Sequence, residues 1–455
     1  MISGFDYGTS NCAIGVITPQ QQVELLAIEQ GQPFMPSALY ALEREFISEF
    51  VGQQIANKET QQAFIQRRGA TLAMAQQLRQ REGIGATEQT LFVGRDGFEQ
   101  YIAEPEEGYF IKSPKSFLGA SGLRPEFVDF FEDIVCAMML SVKQRAEAIS
   151  QQAITHTVIG RPVNFQGLNA DKSNQQAQQI LTAAAQRAGF QSVEFLYEPI
   201  AAGLSYETKL EKNKTVLVVD IGGGTTDCAM VRMGPDYRHK QDRKADFLGH
   251  SGERIGGNDL DIQLAGKHLM PLFGMQSMLK NGLPMPTQTF WNAVSTNDVG
   301  AQSAFNSQQT SQQLQQLMRD TIEPHLLARF IDLRDEKQNH HLVRSAEQAK
   351  IALSDHHQTN VDLSYIESAM SHTVNDQDFT EAIQRPMAKM VALMDEAISQ
   401  AGVQPELIFI TGGSAKSPMI RQAIEQRLGQ IDIVDGDHFG SVAAGLTVWA
   451  QKIFK

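Results

Sequence analysis

Short apolar runs and longer amphipathic stretches alternate along most of this 455-residue chain. Strand-period and helix-period patterns taking turns predict an α/β fold. Residues 2–7, 12–18 and 23–28 read as three successive strands joined by tight turns. Gln53 to Arg81 sets single apolar residues among Gln, Glu, Lys and Arg and reads largely as helix. Phe127 to Ile149 is a stronger helix, with Phe130, Ile134, Ala137, Met138 and Val142 at helical spacing. A strand at 153–159 runs into Gly160-Arg161-Pro162, and a helix from Asn174 stops at Gly189. Further strands are expected at 215–220 and 407–411, and a long helix from Phe379 to Ala401. The polar, charged segment 234–250 reads as an exposed loop. The stretch 272–312, rich in Gln, Asn, Ser, Thr, Gly and Pro, reads as a peripheral insertion, loosely ordered in part, before helical pattern resumes at 311–331 and 345–353.

Two of the apolar runs end alike. One is Phe5-Asp6-Tyr7-Gly8-Thr9-Ser10-Asn11; the other is Val219-Asp220-Ile221-Gly222-Gly223-Gly224-Thr225-Thr226-Asp227. Each places Asp at a strand end, then glycine and a hydroxyl residue, then renewed apolar alternation. Glycine lets backbone N–H groups approach an anion with no side chain between, and Thr or Ser adds a donor. The Asp cannot touch a phosphate, because like charges repel, but it can hold Mg²⁺ through water. One such hairpin is as common in a surface turn as in a binding site. A matched pair points to two related lobes and a phosphate clamp. No Gly-x4-Gly-Lys-Ser/Thr loop is present, and no Gly-x-Gly-x-x-Gly opens a helix after a strand.

Other short segments carry possible chemistry. In Glu198-Pro199-Ile200-Ala201-Ala202-Gly203, proline suits the first turn of a helix and fixes a carboxylate at its start. By itself that Glu is also what the helix dipole favours on a surface. Thr411-Gly412-Gly413-Ser414-Ala415-Lys416-Ser417-Pro418 is a strand–glycine–helix junction where a ligand could lie against backbone. Lys115 lies in a turn-rich segment, and composition does not select it over Lys112.

The net charge is −13. An acidic chain is a poor partner for nucleic acid or an anionic membrane, whereas a nucleotide could still bind through backbone donors and a metal. Three cysteines with no CxxC pair argue for buried thiols in a reducing cytoplasm. The N-terminus lacks the pattern of a secretory leader, and no run reaches membrane-span length.

Taken in order, these motifs resemble the actin-like ATPase domain of the DnaK-type heat-shock chaperones. The set is Asp6-x-Gly8-Thr9, Lys115-x-x-Leu118-Gly119, Glu198-Pro199-x-Ala201-Ala202, Asp220-x-Gly222-Gly223-Gly224-Thr225-x-Asp227 and Gly412-Gly413-Ser414, with Gly256-Gly257-Asn258-Asp259-Leu260-Asp261 as a further match. The chain is most similar to the stand-alone, YegD-like bacterial branch, described as chaperone-like. The resemblance implies two lobes, each a mixed, ribonuclease H-like β-sheet flanked by helices, with nucleotide in the cleft between them. It implies a lobe I core over 1–33, 123–211 and 437–455, with a peripheral subdomain over 34–122. It implies a lobe II core over 212–251 and 378–436, with a peripheral subdomain over 252–377 that carries the polar insertion 272–312. No peptide-binding domain is expected. ATP or ADP, Mg²⁺ and a monovalent cation such as K⁺ are the implied cofactors. Asp6 and Asp220 would hold Mg²⁺ through its waters, and Asp227 would join the monovalent-cation and water network. Gly8, Thr9, Ser10, Asn11 and Gly222, Gly223, Gly224 and Thr225 would hold the phosphates. Lys115, Glu198, Asp220 and Thr225 would serve catalysis. Glu347, Lys350 and Ser354, with Gly412, Gly413 and Ser414, would contact the nucleoside.

The departures from the family matter too. Ile351 stands where the family has an adenine-stacking Arg, Lys416 replaces an Arg, and Phe439-Gly440 replaces residues near the ribose. Losing the cation–π contact forgoes ~0.5–2 kcal/mol, so weaker or less adenine-selective binding is expected. The expected function is a slow ATPase whose lobes open and close with nucleotide state and whose state an unidentified protein partner reads. A non-hydrolysing nucleotide sensor and a small-molecule kinase of the same superfamily are the alternatives.

Overall fold

The computed structural model describes residues 1–120, 124–165, 170–240, 243–429 and 431–454. The domain boundary expected between residues 122 and 123 lies outside them. The described chain forms two compact units: one of 1–254, 392–415 and 428–455, the other of 255–391 and 416–427.

The first unit is built on two sheets with the same topology. In one, the strands run Val23–Leu25, Asn11–Ile17, Ile2–Tyr7, His156–Arg161, Ser192–Tyr197, with Met35–Pro36 also paired to Asn11–Ile17. In the other they run Phe247–Glu253, Thr226–Met233, Lys214–Ile221, Leu407–Thr411, Ile433–Asp435. Each begins as an antiparallel meander and continues as parallel strands. The central strands are buried nearly throughout, so they read as continuous apolar runs, as strands covered on both faces do. Asp6 pairs with Ala13 and Asp220 with Asp227, one step before the last pair of each hairpin. The repeat seen in the sequence is thus a repeat of sheet position.

Helices cover these sheets. Pro125–Ser150 buries a long apolar face containing Phe131, Ile134, Val135, Met138 and Val142. It also carries Glu132 and Asp133 into an ion-pair network with Arg68 and Arg187, where Asp133 accepts from Arg68 at 2.8 Å. The helix Glu198–Glu207 packs against Ser441–Ile453 at unusually close range: a Cβ on Gly445 would collide with the backbone of Ala201. This contact keeps Ala201 small, while Gly203 is confined by Met233 and Val218 of the second sheet. A three-stranded sheet of Leu91–Val93, Ala38–Ala41 and Tyr109–Lys112 delivers the lysine-bearing turn, Pro114–Phe117. Cys12, Cys136 and Cys228 are free thiols, all buried. Burial pushes all three up, Cys12 to about 12.

The second unit holds the helices Gly257–Leu264, Gln288–Val294, Val299–Phe305, Gln308–Asp320, Pro324–Asp335 and Asn339–Ala352, and the hairpin Gln358–Asp362 with Ser371–Asn375. Its core centres on Phe330, stacked on Phe290 at 4.2 Å and beside Phe305 at 5.8 Å.

Two expectations need correction. The stretch 272–312, expected to be loosely ordered in part, is helical over 288–294, 299–305 and 308–312: Phe290 and Phe305 anchor these helices, and Asp298 and Ser307 cap two of them, while 274–287 forms turns and isolated bridges. The segment 234–250 is not simply an exposed loop. Arg243 is buried between Glu207 and Asp246, and the strand Phe247–Glu253 completes the second sheet. Its Gly249-His250-Ser251-Gly252 run has too little apolar alternation to announce a strand. Residues 241 and 242 of that segment lie outside the described ones. Among the described residues, no helix is long and apolar enough to cross a membrane.

Candidate functional site

Both hairpins open toward one point within the first unit. A Cβ on Gly224 would lie 2.5 Å from Thr9 Cγ2 and 2.9 Å from Thr9 Oγ1, so the tips of the two turns touch. In the central turn the Gly222 N–H donates to the Thr225 carbonyl at 3.0 Å. The first turn is held from a neighbouring segment. Ser37 Oγ donates to the Gly8 carbonyl at 2.6 Å, and the Ser37 N–H donates to the Ser10 carbonyl at 2.8 Å. The Ser113 N–H in turn donates to the Ser37 carbonyl at 2.8 Å. Ser113 has φ +56°, a left-handed conformation that turns the chain into the Lys115 segment. Ser37 therefore joins the phosphate-type hairpin to the lysine turn. Sequence reasoning passed over it, since a serine after a proline signals nothing by itself.

Lys115 stands in the short helical turn Pro114–Phe117. It is buried and ion-paired with Glu198, which stands in the first turn of Glu198–Glu207. The structure separates it from Lys112, a half-buried residue ending the strand Tyr109–Lys112. Asp6, Asp220 and Asp227 share this environment. Burial, then the nearby Glu198 carboxylate, pushes Asp6 up to about 7 against the pull of Lys115. Asp220 is raised well above its ordinary value by burial and by Glu198, Asp227 and Asp6. Burial and Glu198 likewise push Asp227 to about 7, although the Val163 N–H donates to its Oδ1 at 2.6 Å and Thr225 also bonds it. Burial alone would push the Lys115 ammonium down, but Glu198 and Asp6 outweigh it and hold it above its ordinary value.

The cluster sets the buried carboxyls of Glu198, Asp220 and Asp227 and the half-buried Asp6 around the Lys115 ammonium, with the three Asp residues held toward their neutral forms. A bound cation would favour the charged forms of these carboxyls. Among the described residues no three His, Cys, Asp or Glu side chains converge as direct ligands. These carboxyls are oxygen donors of the kind a hydrated hard cation takes.

Gly412, Gly413 and Ser414 back the central hairpin. Gly412 has φ +89°, and a Cβ there would press on the Ile221 carbonyl and lie 2.8 Å from Asp220 Oδ1, so only glycine fits. Ser414 Oγ lies 3.4 Å from the Gly222 carbonyl. Ser417 precedes Pro418–Leu428, as the sequence indicated.

The remaining expected residues belong to the second unit. On Asn339–Ala352, Glu347 accepts from Arg344 at 2.8 Å, and Lys350 pairs with the buried Asp261 at 2.7 Å and donates to the Gly257 carbonyl at 3.2 Å. Ser354 Oγ donates to the Lys350 carbonyl at 3.4 Å, and Ile351 is 55% exposed.

Twin sheets of this topology, each ending in an Asp-Gly hairpin, define an actin-like ATPase fold. The family model described as Hsp70 protein matches residues 125–280 and 309–451. This chain belongs to that family. The match omits 281–308, which falls inside the polar 272–312 stretch. The chain is 23% identical over 443 residues to chaperone protein dnaK3 of Thermosynechococcus vestitus, covering 94% of this chain and 52% of that protein. It is 24% identical over 353 residues to chaperone protein DnaK of Halobacterium salinarum, covering 75% and 45%. It is 24% identical over 313 residues to chaperone protein dnaK3 of Synechococcus elongatus, covering 66% and 33%. The chain thus spans about half or less of the length of these curated relatives.

Proposed function

We propose that the chain binds ATP with Mg²⁺ and hydrolyses it slowly, with its nucleotide state read by a partner protein in a chaperone-like role. The observation that carries this reading is the buried Lys115–Glu198 pair set among Asp6, Asp220 and Asp227 where the two glycine turns meet. Phosphoryl transfer to water needs positioning and charge more than covalent chemistry. Backbone N–H groups of Gly8–Asn11 and Gly222–Thr225 would cradle the phosphates. Lys115 would face the terminal phosphate, while Glu198 and Thr225 orient the attacking water. Asp6 and Asp220 would hold a hydrated Mg²⁺, with Asp227 serving a monovalent cation and its water. Held there, the metal would supply positive charge that offsets that of the phosphates. Opening and closing of lobes would turn the nucleotide state into a surface change.

Single-turnover phosphate release tests this. Lys115→Ala should retain ATP binding and lose hydrolysis by about 100- to 1,000-fold, the usual cost of one preorganised donor. Equal turnover in the variant removes Lys115 from the mechanism. No release from wild type at saturating ATP would leave a nucleotide sensor instead.

A further inference from the structure

The segment after the strand His156–Arg161 reaches the acidic cluster without belonging to either hairpin. Its contact is the 2.6 Å bond from the Val163 N–H to Asp227 Oδ1. The packing there is close: a Cβ on Gly252 would sit 2.3 Å from Asp227 Oδ1 and 3.0 Å from Val163 Cβ. The other end of the same peptide unit is the Pro162 carbonyl. That carbonyl accepts from Arg161 Nε at 3.1 Å, and Arg161 Nη2 donates to the Val163 carbonyl at 3.0 Å. One guanidinium therefore holds two successive carbonyls of its own chain.

The guanidinium is itself held in place. Its carbon lies 4.9 Å from the centroid of the Tyr197 ring and 5.8 Å from that of Phe165. Tyr197 is stacked in turn on His250 at 5.5 Å. Asn174 braces the far end of the segment: its Oδ1 accepts the Phe165 N–H at 2.9 Å, and its Nδ2 donates to Asn164 Oδ1 at 3.1 Å. Asn164 Nδ2 donates to the Gly252 carbonyl at 3.2 Å. Burial lowers the Arg161 pKa, while Tyr197, Glu198 and Asp227 pull it the other way, which puts both carboxyls within reach of its charge.

A peptide unit passes charge from one end to the other. A cation on the carbonyl oxygen draws electron density toward it and makes the N–H a stronger donor, because hydrogen bonds in a chain polarise one another. The next bond in this chain ends on a carboxyl, the acceptor for which such strengthening counts most. We infer that Arg161 is a positioning residue for Asp227, acting through the Pro162–Val163 peptide to strengthen the Val163 bond and fix that carboxyl within the cluster. Its consequence for turnover rests on the ATPase reading above.

Amide NMR of the full chain carrying isotope-labelled valine, without nucleotide, reads the bond directly. The Val163 signal is assigned by its loss in Val163→Ile. Its proton should lie far downfield in wild type and move upfield in both Arg161→Gln and Asp227→Asn. Arg161→Lys keeps the cation and should restore much of the shift. In single-turnover hydrolysis Arg161→Gln should slow phosphate release by about tenfold, with ATP affinity held within about twofold. Arg161→Lys should recover to within about threefold of wild type. Glutamine keeps a donor and most of the side-chain length, so a packing role alone would leave both readouts in place. An unmoved Val163 proton in Arg161→Gln overturns the inference. So does a loss of ATP affinity with the hydrolysis rate retained, which would make Arg161 a binding residue. Unchanged turnover in Arg161→Gln overturns its part in hydrolysis. A Val163 response together with no turnover by wild type overturns the ATPase reading and leaves the coupling of Arg161 to Asp227 standing.

Discussion

The two hairpins carry the same strand-end Asp and the same sheet position, yet they are held differently. The central turn closes on itself through Gly222 and Thr225 and has three consecutive glycines. The N-terminal turn has one glycine, and Ser37 fastens its Gly8 and Ser10 carbonyls from another segment. A turn rich in glycine presents backbone and needs little outside help. A turn built from Thr9, Ser10 and Asn11 presents side chains, and its carbonyls must be turned aside by a neighbour, because a carbonyl facing an anion repels it. The neighbour here also holds the lysine turn, so the first hairpin and Lys115 are positioned as one piece.

The contact between the turns is the sharpest place to break this arrangement. Gly224→Val would drive a side chain into Thr9 and force the tips apart. ATP affinity should fall by about 100-fold, or ~3 kcal/mol, with the fold retained by circular dichroism. Wild-type affinity in that variant would show that the turns do not act together.

A smaller effect should follow from the acids. Asp6 is raised to about 7 in the folded protein, above its unfolded value, so folding favours its protonated form. That contribution to stability is present at low pH and is lost as pH rises through about 7. Asp6→Asn mimics the protonated acid. Without metal or nucleotide it should therefore stabilise the protein at pH 7.5 and change little at pH 4.5, as read by urea unfolding. The same variant should bind MgATP more weakly. A stability gain that does not depend on pH would mean that Asp6 carries no excess proton.

The smallest effect compares the fastenings directly. Ser37→Ala removes a 2.6 Å bond to a hairpin carbonyl and should cost about 1 kcal/mol, with a matching loss in hydrolysis because Lys115 shifts with the turn. Ser414→Ala removes only a 3.4 Å contact from the self-closed hairpin and should cost less than about 0.5 kcal/mol. Equal costs would erase the distinction between the two turns.

What the sequence revealed follows the range of each interaction. The hairpins, the Glu198 helix start and the Gly412–Ser414 junction are local patterns of a few residues and were legible. The burial of Lys115 was not, because its partner Glu198 is 83 positions away and composition ranks Lys112 equally. Ser37 left no signal, since its role consists of bonds to turns made by other residues. The strand Phe247–Glu253 was missed because its middle is polar and glycine-rich, and neighbouring strands rather than its own pattern define it. The order within 272–312 came from Phe290 and Phe305, two anchors too sparse to outweigh a polar composition.

The burial of Cys12, Cys136 and Cys228 makes the molecule easy to instrument. With every native thiol hidden and held protonated, a thiol-selective dye would find a single engineered surface cysteine far faster than any of them. A fluorophore could be attached without first stripping the chain of its own cysteines. The proposed nucleotide-driven motion could then be tested in otherwise wild-type protein.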